Sequence, residues 1–170
     1  MNSNIREVFD EIALADFDVI VNAANGCGWM GGNRCCTEIH NGVAEHINYF
    51  TKGTVEKEAL KTARKYSHIP SWICGYKGGD FFTTSSYGLK CKKIIHAVTM
   101  RYPGSRSKIK YIKSLIPKIF DYCSNHDYKS IAIPCLGCGT GGLSSDLVTD
   151  IIKNEARRYS EITTFIYHKE

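Results

Sequence analysis

Residues 19–32 read VIVNAANGCGWMGG, an apolar run that passes two asparagines and opens into a glycine-rich turn. The apolar residues 19–21 predict a short buried strand whose polar end meets solvent or a ligand. Asn22 and Asn25 lie at that end. Because a buried amide is costly unless it is hydrogen-bonded, the two side chains are either braces for the loop backbone or contacts to a ligand.

The turn after this strand has glycines at positions 26, 28, 31 and 32. This spacing allows backbone N–H groups to approach an anion at the start of the next helix. The turn lacks the Lys-Ser/Thr pair of a P-loop and the strict dinucleotide fingerprint. By itself it is equally compatible with a plain structural turn.

A second segment repeats the same design. Residues 130–143 read SIAIPCLGCGTGGL, again an apolar strand that runs into glycines, here at 137, 139, 141 and 142. In an open α/β sheet, ligands bind outside the carboxyl ends of the strands, and two glycine loops brought together there can hold a diphosphate from both sides. The alternative to a ligand site is that both loops are only turns that connect a strand to a helix.

Composition favours one compact domain over residues 1–170. Hydrophobic residues make up 43% of the chain, and the net charge is +5. This charge favours anionic ligands, although no concentrated Lys/Arg block typical of a dedicated nucleic-acid binder is present. No apolar run reaches transmembrane length, and the polar N-terminal residues do not resemble a signal peptide, so we expect a cytoplasmic protein with no membrane partner.

The chain has eight cysteines, which we expect to be reduced thiols in a cytoplasmic protein. Cys135 and Cys138 form a CxxC inside the second glycine loop, which raises a redox or zinc role as an alternative. Cys35, Cys36 and His40 could likewise contribute ligands from one helix. Because no second CxxC accompanies the first, we predict neither a metal nor a cofactor.

The alternation of strand and helix patterns predicts an α/β fold, with a largely parallel central sheet covered on both faces. His96 is expected to be a core histidine, and Pro117 is expected to kink or split its helix. Predicted strands cover residues 4–12 (an edge strand), 19–25, 93–98, 131–134 and 162–167, with short strands and turns over 70–87. Predicted helices cover residues 35–50, with Ile39 facing inward, and residues 54–66. A third predicted helix is capped by Ser107 and runs to Cys123. A fourth is capped by Ser144 or Ser145, and its inward-facing residues are Leu147, Val148, Ile151, Ile152 and Ala156.

Three segments together resemble the macro domain family. Residues 21–25, VNAAN, match its signature, and residues 79–98, GDFFTTSSYGLKCKKIIHAV, resemble its segment ending in IIHAV. Residues 131–143 resemble its second phosphate loop. The resemblance implies a three-layer α/β/α sandwich with a mostly parallel, mixed sheet. It also implies that the ligand is ADP-ribose or an ADP-ribosylated macromolecule.

The resemblance also implies roles for individual residues. Glu11, beside Ile12, stands eleven positions before Asn22, where the family has an acidic residue that accepts from the adenine amino group. Asn25 is the counterpart of an asparagine that contacts the distal ribose, and the glycine-loop backbones hold the diphosphate. Trp29, Tyr87 and Tyr102 are candidates for covering the distal ribose or the adenine. The implied ligand-binding set is Glu11, Ile12, Asn22, Asn25, Gly28, Met30, Gly31, Gly32, Gly137, Gly139, Thr140, Gly141, Gly142 and Leu143.

Hydrolysis of an ADP-ribosyl linkage is left open by the sequence. One hydrolase branch of the family has an Asp where this chain has Cys36, four residues before His40. The branch of DNA ADP-ribose glycohydrolase antitoxins has a catalytic Lys where this chain has Met100, although residues 25–31 match its Asn-x-x-Gly-x-Met-Gly spacing. The catalytic candidates are Asn25 and His40, holding a water against the ligand's own phosphate. A non-catalytic ADP-ribose reader and a module that binds RNA or another polynucleotide are the alternatives.

Overall fold

The computed structural model describes residues 4–66 and 75–169. Their strands form one six-stranded sheet in which β1, β6, β5, β2 and β4 run parallel in that spatial order, while β3 closes the far edge antiparallel to β4. The expected mostly parallel, mixed sheet is confirmed. The strands are β1 Ile5–Val8, β2 Phe17–Asn25, β3 Phe81–Thr84, β4 Cys91–Met100, β5 Ser130–Pro134 and β6 Thr163–Tyr167.

Helices cover both faces of this sheet and complete the three layers. One core forms between the sheet and the last two helices of the chain. A second core forms on the opposite face, between the sheet and the helices Val43–Phe50 and Thr54–Tyr66. None of the helices in the described part of the chain is long and apolar enough to span a bilayer. The helices are α1 Arg34–Thr37, α2 Val43–Phe50, α3 Thr54–Tyr66, α4 Ile109–Asn125 and α5 Ser145–Ala156, and a 3-10 turn covers Ile12–Leu14.

The central strand β2 divides its side chains between the two cores. Val19 and Val21 pack with α4 and α5, whereas Ile20 packs with Ile47 and Val55 on the other face. Alternate residues of a strand point to opposite faces of the sheet, so a strand covered on both faces is apolar throughout. This is why residues 19–21 read as a continuous apolar run.

The prediction of one continuous helix over residues 35–50 is wrong. The segment forms two helices, α1 and α2, separated by residues 38–42. Ile39, expected on the buried face, is 62% exposed. The break has a local cause: the carboxylate of Glu45 accepts a hydrogen bond from the backbone N–H of Gly42 and caps a new helix at that point.

Other expectations about the helices are also corrected. Ser107 does not cap α4, because its backbone N–H donates to the carbonyl of Gly141 and its hydroxyl makes no capping bond. Of the two outcomes expected at Pro117, a kink or a split, the split is absent, because α4 is continuous from Ile109 to Asn125. Leu147 is exposed because it lies in the first turn of α5, off its buried face, whereas Ser144 caps that helix as predicted.

The first predicted strand and the cysteines need smaller corrections. β1 lies at the sheet edge as expected but ends at Val8, because the chain then turns into the 3-10 segment. Among the residues that the structure describes, six cysteines are free thiols, whereas Cys27 is disulfide-bonded. The prediction of reduced thiols is therefore wrong for Cys27, since sequence spacing does not reveal which cysteines meet in space. Residues 70–74 of the predicted turn region lie outside the described residues.

The parallel strands bring three loops to one edge of the sheet. β2 lies between β4 and β5 and is parallel to both, so the three strands end on the same side. Residues 26–33 follow β2, residues 101–107 follow β4, and residues 135–144 follow β5. The two glycine loops and the loop after β4 therefore share the edge at which open α/β sheets bind ligands.

Candidate functional site

The side chain of Asn25 shapes the first glycine loop from its start. Its amide nitrogen donates to the carbonyl of Trp29 over 2.8 Å, and its oxygen accepts from the backbone N–H groups of Cys27 and Trp29 at 3.1 and 3.2 Å. Asn25 is only 8% exposed. The predicted hydrogen bonds from Asn25 to the loop backbone are thus present. They fix the conformation of the loop through both the nitrogen and the oxygen of the amide.

The buried carboxylate of Glu56, in the first turn of α3, holds the same loop from beneath. Its Oε1 accepts from the N–H groups of Met30 and Gly32 at 2.6 and 2.9 Å, and its Oε2 accepts from the amide of Asn48 at 3.1 Å. Asn48 also donates to the carbonyls of Met30 and Gly32. Neither residue was predicted from the sequence; acidic residues such as Glu56 in a first helical turn are common and usually exposed.

Asn22 lies deeper, inside the sheet, and is fully buried. Its amide nitrogen donates to Nδ1 of His96 on β4 over 3.1 Å, so the neutral imidazole carries its proton on Nε2 and donates it to the hydroxyl of Thr84, 2.9 Å away. Burial lowers the pKa of His96 to about 3. His96 is the core histidine that the sequence predicts, and Asn22 braces it.

Two other residues of the implied ligand-binding set face the protein interior. A Cβ at Gly28 would lie 2.6 Å from the carbonyl oxygen of Ala59, so this glycine permits the loop to pack against α3. The side chain of Met30 is 2% exposed and belongs to the core. Both positions shape the loop, and Gly31 and Gly32 near its end have positive φ angles.

The second glycine loop carries backbone donors that the protein itself does not use. In the parts of the chain that the structure describes, the N–H groups of Gly139, Thr140 and Gly141 donate no hydrogen bond. The loop is closed instead by bonds from Gly142 to the carbonyl of Gly139 and from Leu143 to the carbonyl of Gly137. Successive unpaired N–H groups in a glycine turn form an anion-binding concavity.

Arg106, on the loop after β4, lies directly against this second glycine loop. A Cβ at Gly142 would lie 2.2 Å from its Nη1 atom, so the glycine makes room for the guanidinium. Arg106 forms no ion pair with a carboxylate among the described residues. The sequence analysis missed this cation, since nothing local indicates that residues 106 and 142 meet.

Glu11 and Ile12 stand after the carboxyl end of β1, on the same side of the sheet. One carboxylate oxygen of Glu11 accepts from the N–H of Ala13 at 2.9 Å and caps the 3-10 turn. The other oxygen contacts Nδ1 of His46 on α2. The side chain of Ile12 is buried. Glu11 is therefore fixed in orientation, with about a fifth of its side chain (22%) exposed to solvent.

The aromatic candidates do not all reach this edge. Trp29 in the first glycine loop and Tyr102 in the loop after β4 are each 46% exposed there. Tyr87 precedes β4 and thus lies at the opposite end of the strands. Two of the three aromatic side chains therefore lie on loops at this edge.

The substituted catalytic positions have structural roles instead. The thiol of Cys36 lies 3.5 Å from the carbonyl oxygen of Gly32 and 3.8 Å from the amide oxygen of Asn48. Met100 is the last residue of β4, and its carbonyl accepts from the N–H of Gly26. His40 lies between α1 and α2, outside either helix.

The CxxC thiols are engaged in separate contacts. Sγ of Cys135 lies 3.4 Å from Nδ1 of His168, whereas the thiol of Cys138 points to the carbonyl oxygen of Leu136. Burial, with the nearby Cys135 thiol, raises the pKa of Cys138 to about 11. Among the described residues, neither thiol belongs to a group of three or more metal-ligating side chains.

The family model of the macro domain matches residues 21–152, which include both glycine loops. This chain belongs to the macro domain family. An uncharacterised protein of Aquifex aeolicus is 30% identical over 156 residues, which cover 92% of this chain and 82% of that protein. Relatives of similar length thus share the domain over nearly its whole extent.

Solved macrodomains share the fold of this chain. The macrodomain of Mycobacterium tuberculosis DarG superposes with a TM-score of 0.74 at 23% identity, and the match covers 96% of each chain. The Trypanosoma brucei macrodomain, solved in complex with ADP-ribose, gives a TM-score of 0.73 at 19% identity over 98% of this chain and 63% of the other. At these identities the likeness concerns the fold.

Proposed function

We propose that this macro domain binds ADP-ribose, free or attached to a macromolecule, at the carboxyl edge of its sheet. The observation that carries the proposal is the row of unpaired N–H groups at Gly139, Thr140 and Gly141, beside the guanidinium of Arg106. Main-chain donors bind phosphate without an ionisable side chain, and a guanidinium adds charge-assisted hydrogen bonds. A diphosphate matches both features.

The other parts of ADP-ribose find matching groups around this loop. Glu11 offers a fixed carboxylate as an acceptor for the adenine amino group, and Trp29 and Tyr102 offer exposed aromatic surface at the same edge. The bound ADP-ribose in the Trypanosoma brucei structure supports this ligand for the shared fold. Asn25 acts on the ligand mainly by fixing the loop that faces it.

Hydrolysis of an ADP-ribosyl linkage is our second candidate function. The observation that favours it is His40, whose Nε2 atom is buried without a hydrogen-bond partner on the segment that follows the first glycine loop. This nitrogen has no hydrogen-bond partner among the described residues, so a bond to a bound ligand would satisfy it. His40 and Asn25 remain our proposed catalytic pair.

Calorimetric titration of the protein with ADP-ribose tests the binding proposal. We expect saturable binding with one-to-one stoichiometry. The variant Gly141→Ala should lose it, because a Cβ there would lie 2.3 Å from the hydroxyl of Ser107 and 2.4 Å from the carbonyl of Gly137. The control is Ser160→Ala, an exposed residue before β6 at the other end of the strands, which should bind ADP-ribose like the wild type.

Two outcomes would contradict the proposal: no binding at millimolar ADP-ribose, or unchanged affinity in a folded Gly141→Ala protein. Tighter binding of single-stranded RNA, with steep salt dependence, would instead favour the polynucleotide alternative. Analysis of an ADP-ribosylated protein incubated with the same sample reports hydrolysis. Loss of turnover in His40→Ala with retained ADP-ribose affinity would support the second candidate.

A further inference from the structure

Cys35, His40 and Glu45 converge just after the first glycine loop. One ligand atom from each side chain lies within 4.8 Å of the other two. The residues come from three successive pieces of chain: Cys35 from α1, His40 from the connecting segment and Glu45 from the first turn of α2. The break between the two helices is what brings them together, since a single continuous helix would place positions 35, 40 and 45 on different faces.

The imidazole of His40 lacks a partner within this arrangement. Its Nε2 atom is shielded from solvent, yet no described group hydrogen-bonds to it. The nearest acidic oxygen, on Glu38, is 3.7 Å away, too far for a hydrogen bond. A buried, unsatisfied imidazole nitrogen is costly, and a metal ion would satisfy it.

Cys35 adds a buried thiol among carboxylates. It is 4% exposed, and burial, followed by the charges of Glu45 and Glu56, raises the pKa of its thiol. The same surroundings that oppose an unpaired thiolate would stabilise a divalent cation, which removes the thiol proton when it binds. Glu45 has one oxygen on the N–H of Gly42 and the other available as a ligand.

The group lies against the first glycine loop. A Cβ at Gly31 would be 2.3 Å from Sγ of Cys35 and 3.3 Å from Cγ of Glu45, so the missing side chain makes room for both. Any ion held by these residues would therefore lie beside the loop that we propose for ADP-ribose. The three side chains would hold the ion whether or not ADP-ribose is bound.

We propose that Cys35, His40 and Glu45 form a zinc site with one open coordination position. A thiolate, an imidazole and a carboxylate are ligands that Zn²⁺ accepts together, at about 2.0–2.3 Å each, and three protein ligands leave the fourth tetrahedral position to water or to a ligand oxygen. Around such an ion the ligand atoms are about 3.5 Å apart. The present separations, all within 4.8 Å, would have to close to that value when the ion binds.

Titration of the metal-free protein with Zn²⁺ against a chromophoric chelator tests the site directly. We expect one equivalent to bind tightly. Substitution with Co²⁺ should give the thiolate charge-transfer absorption and the intense visible bands of a tetrahedral site. Both measurements are made without ADP-ribose, so their failure and the failure of the binding proposal are distinguishable.

Single substitutions assign the ligands. His40→Ala and Cys35→Ser should each weaken Zn²⁺ binding by at least about 100-fold, because even groups that only orient a metal ligand contribute 10–100-fold. The matched control is Cys36→Ser, the neighbouring thiol outside the group, which should keep full affinity and the cobalt spectrum. His40 is partly exposed (23%), so its variant is expected to fold even if the buried Cys35 variant does not.

Substitution of the CxxC thiols tests the alternative that Cys135 and Cys138 bind the metal. If a double variant Cys135→Ser, Cys138→Ser abolishes the cobalt thiolate band while His40→Ala retains it, the proposed site is wrong. The absence of any stoichiometric Zn²⁺ binding by the metal-free protein would also overturn it. Loss of binding in His40→Ala with retention in the double variant would establish the site.

Discussion

Oε1 of Glu56 accepts a 2.6 Å hydrogen bond from the backbone N–H of Met30, 26 positions earlier in the chain. The same oxygen accepts from Gly32, and the carboxylate is only 6% exposed. The first glycine loop is therefore held by a buried anion of the protein. In the second glycine loop, by contrast, the N–H groups of Gly139 to Gly141 have no acceptor among the described residues.

Glu56→Ala should lower the free energy of unfolding by about 3 kcal/mol, because it leaves the N–H groups of Met30 and Gly32 buried without an acceptor. Urea denaturation measures this loss. The control is Glu161→Ala, an exposed carboxylate, which should change stability by less than about 0.5 kcal/mol. Equal effects of the two substitutions would show that Glu56 does not hold the loop.

Arg106→Ala should weaken ADP-ribose binding about tenfold, since it removes the cation next to the unpaired N–H groups of the second glycine loop. Calorimetry at low and high salt measures the effect, and the difference between wild type and variant should shrink as salt rises. Arg157→Ala, beyond the C-terminal end of α5, is the matched control. Should both variants bind like wild type, the diphosphate does not contact Arg106.

Stability should fall in acid because of His96. The pKa of this imidazole is about 3 in the folded protein, against a usual value of 6.5. The unfolded chain therefore binds the proton first as the pH falls. The His96 contribution is complete above about pH 6.5 and is lost toward pH 3, at about 1.4 kcal/mol per pH unit.

A comparison of His96→Gln with the wild type separates this contribution from the carboxylates that titrate in the same range. Urea denaturation between pH 4 and 7 should give a shallower dependence on pH for the variant. His126→Gln removes an exposed histidine and should leave the wild-type slope. Parallel curves for wild type and His96→Gln would mean that His96 is not held neutral.

Gly26→Ala should destabilise the protein by about 2 kcal/mol. A Cβ at this position would lie 2.1 Å from the carbonyl oxygen of Tyr76 and 2.8 Å from that of Arg101, so the backbone itself must shift. Thermal unfolding measures the loss. Gly139→Ala is the control for stability, because a Cβ there meets nothing within 4 Å. A melting temperature equal to that of wild type would contradict the packing described around Gly26.

The sequence predicted the parts of this fold that local pattern determines. The strand at residues 19–21 is apolar throughout because both faces of the sheet are covered, and the same pattern identified β4 and β5. The glycine loops were found because each follows such a strand. The break before α2 was missed, since the cap between Gly42 and Glu45 competes locally with a helical pattern that would otherwise continue.

The parts of the site that were missed depend on contacts between distant positions. Glu56 reads as an ordinary acidic residue at a helix start, and only the packing of α3 beneath the loop reveals its partners. In the sequence, Arg106 is an ordinary basic residue in a loop. Its position next to Gly142 depends on the folded sheet, in which the loops after β4 and β5 meet. For Asn25 the sequence predicts either hydrogen bonds to the loop backbone or a contact to a ligand; the first are present, and the second stays a prediction.

The hydrogen bonds of Asn25 and Glu56 also bear on how quickly a ligand is captured. Because these side chains give the first glycine loop its shape when the chain folds, an arriving ligand does not have to order it. Association can then proceed at a rate set by diffusion and orientation, and differences in affinity among related ligands would appear mainly in their dissociation rates. At the proposed site, residence time, more than the rate of capture, would distinguish one ligand from another.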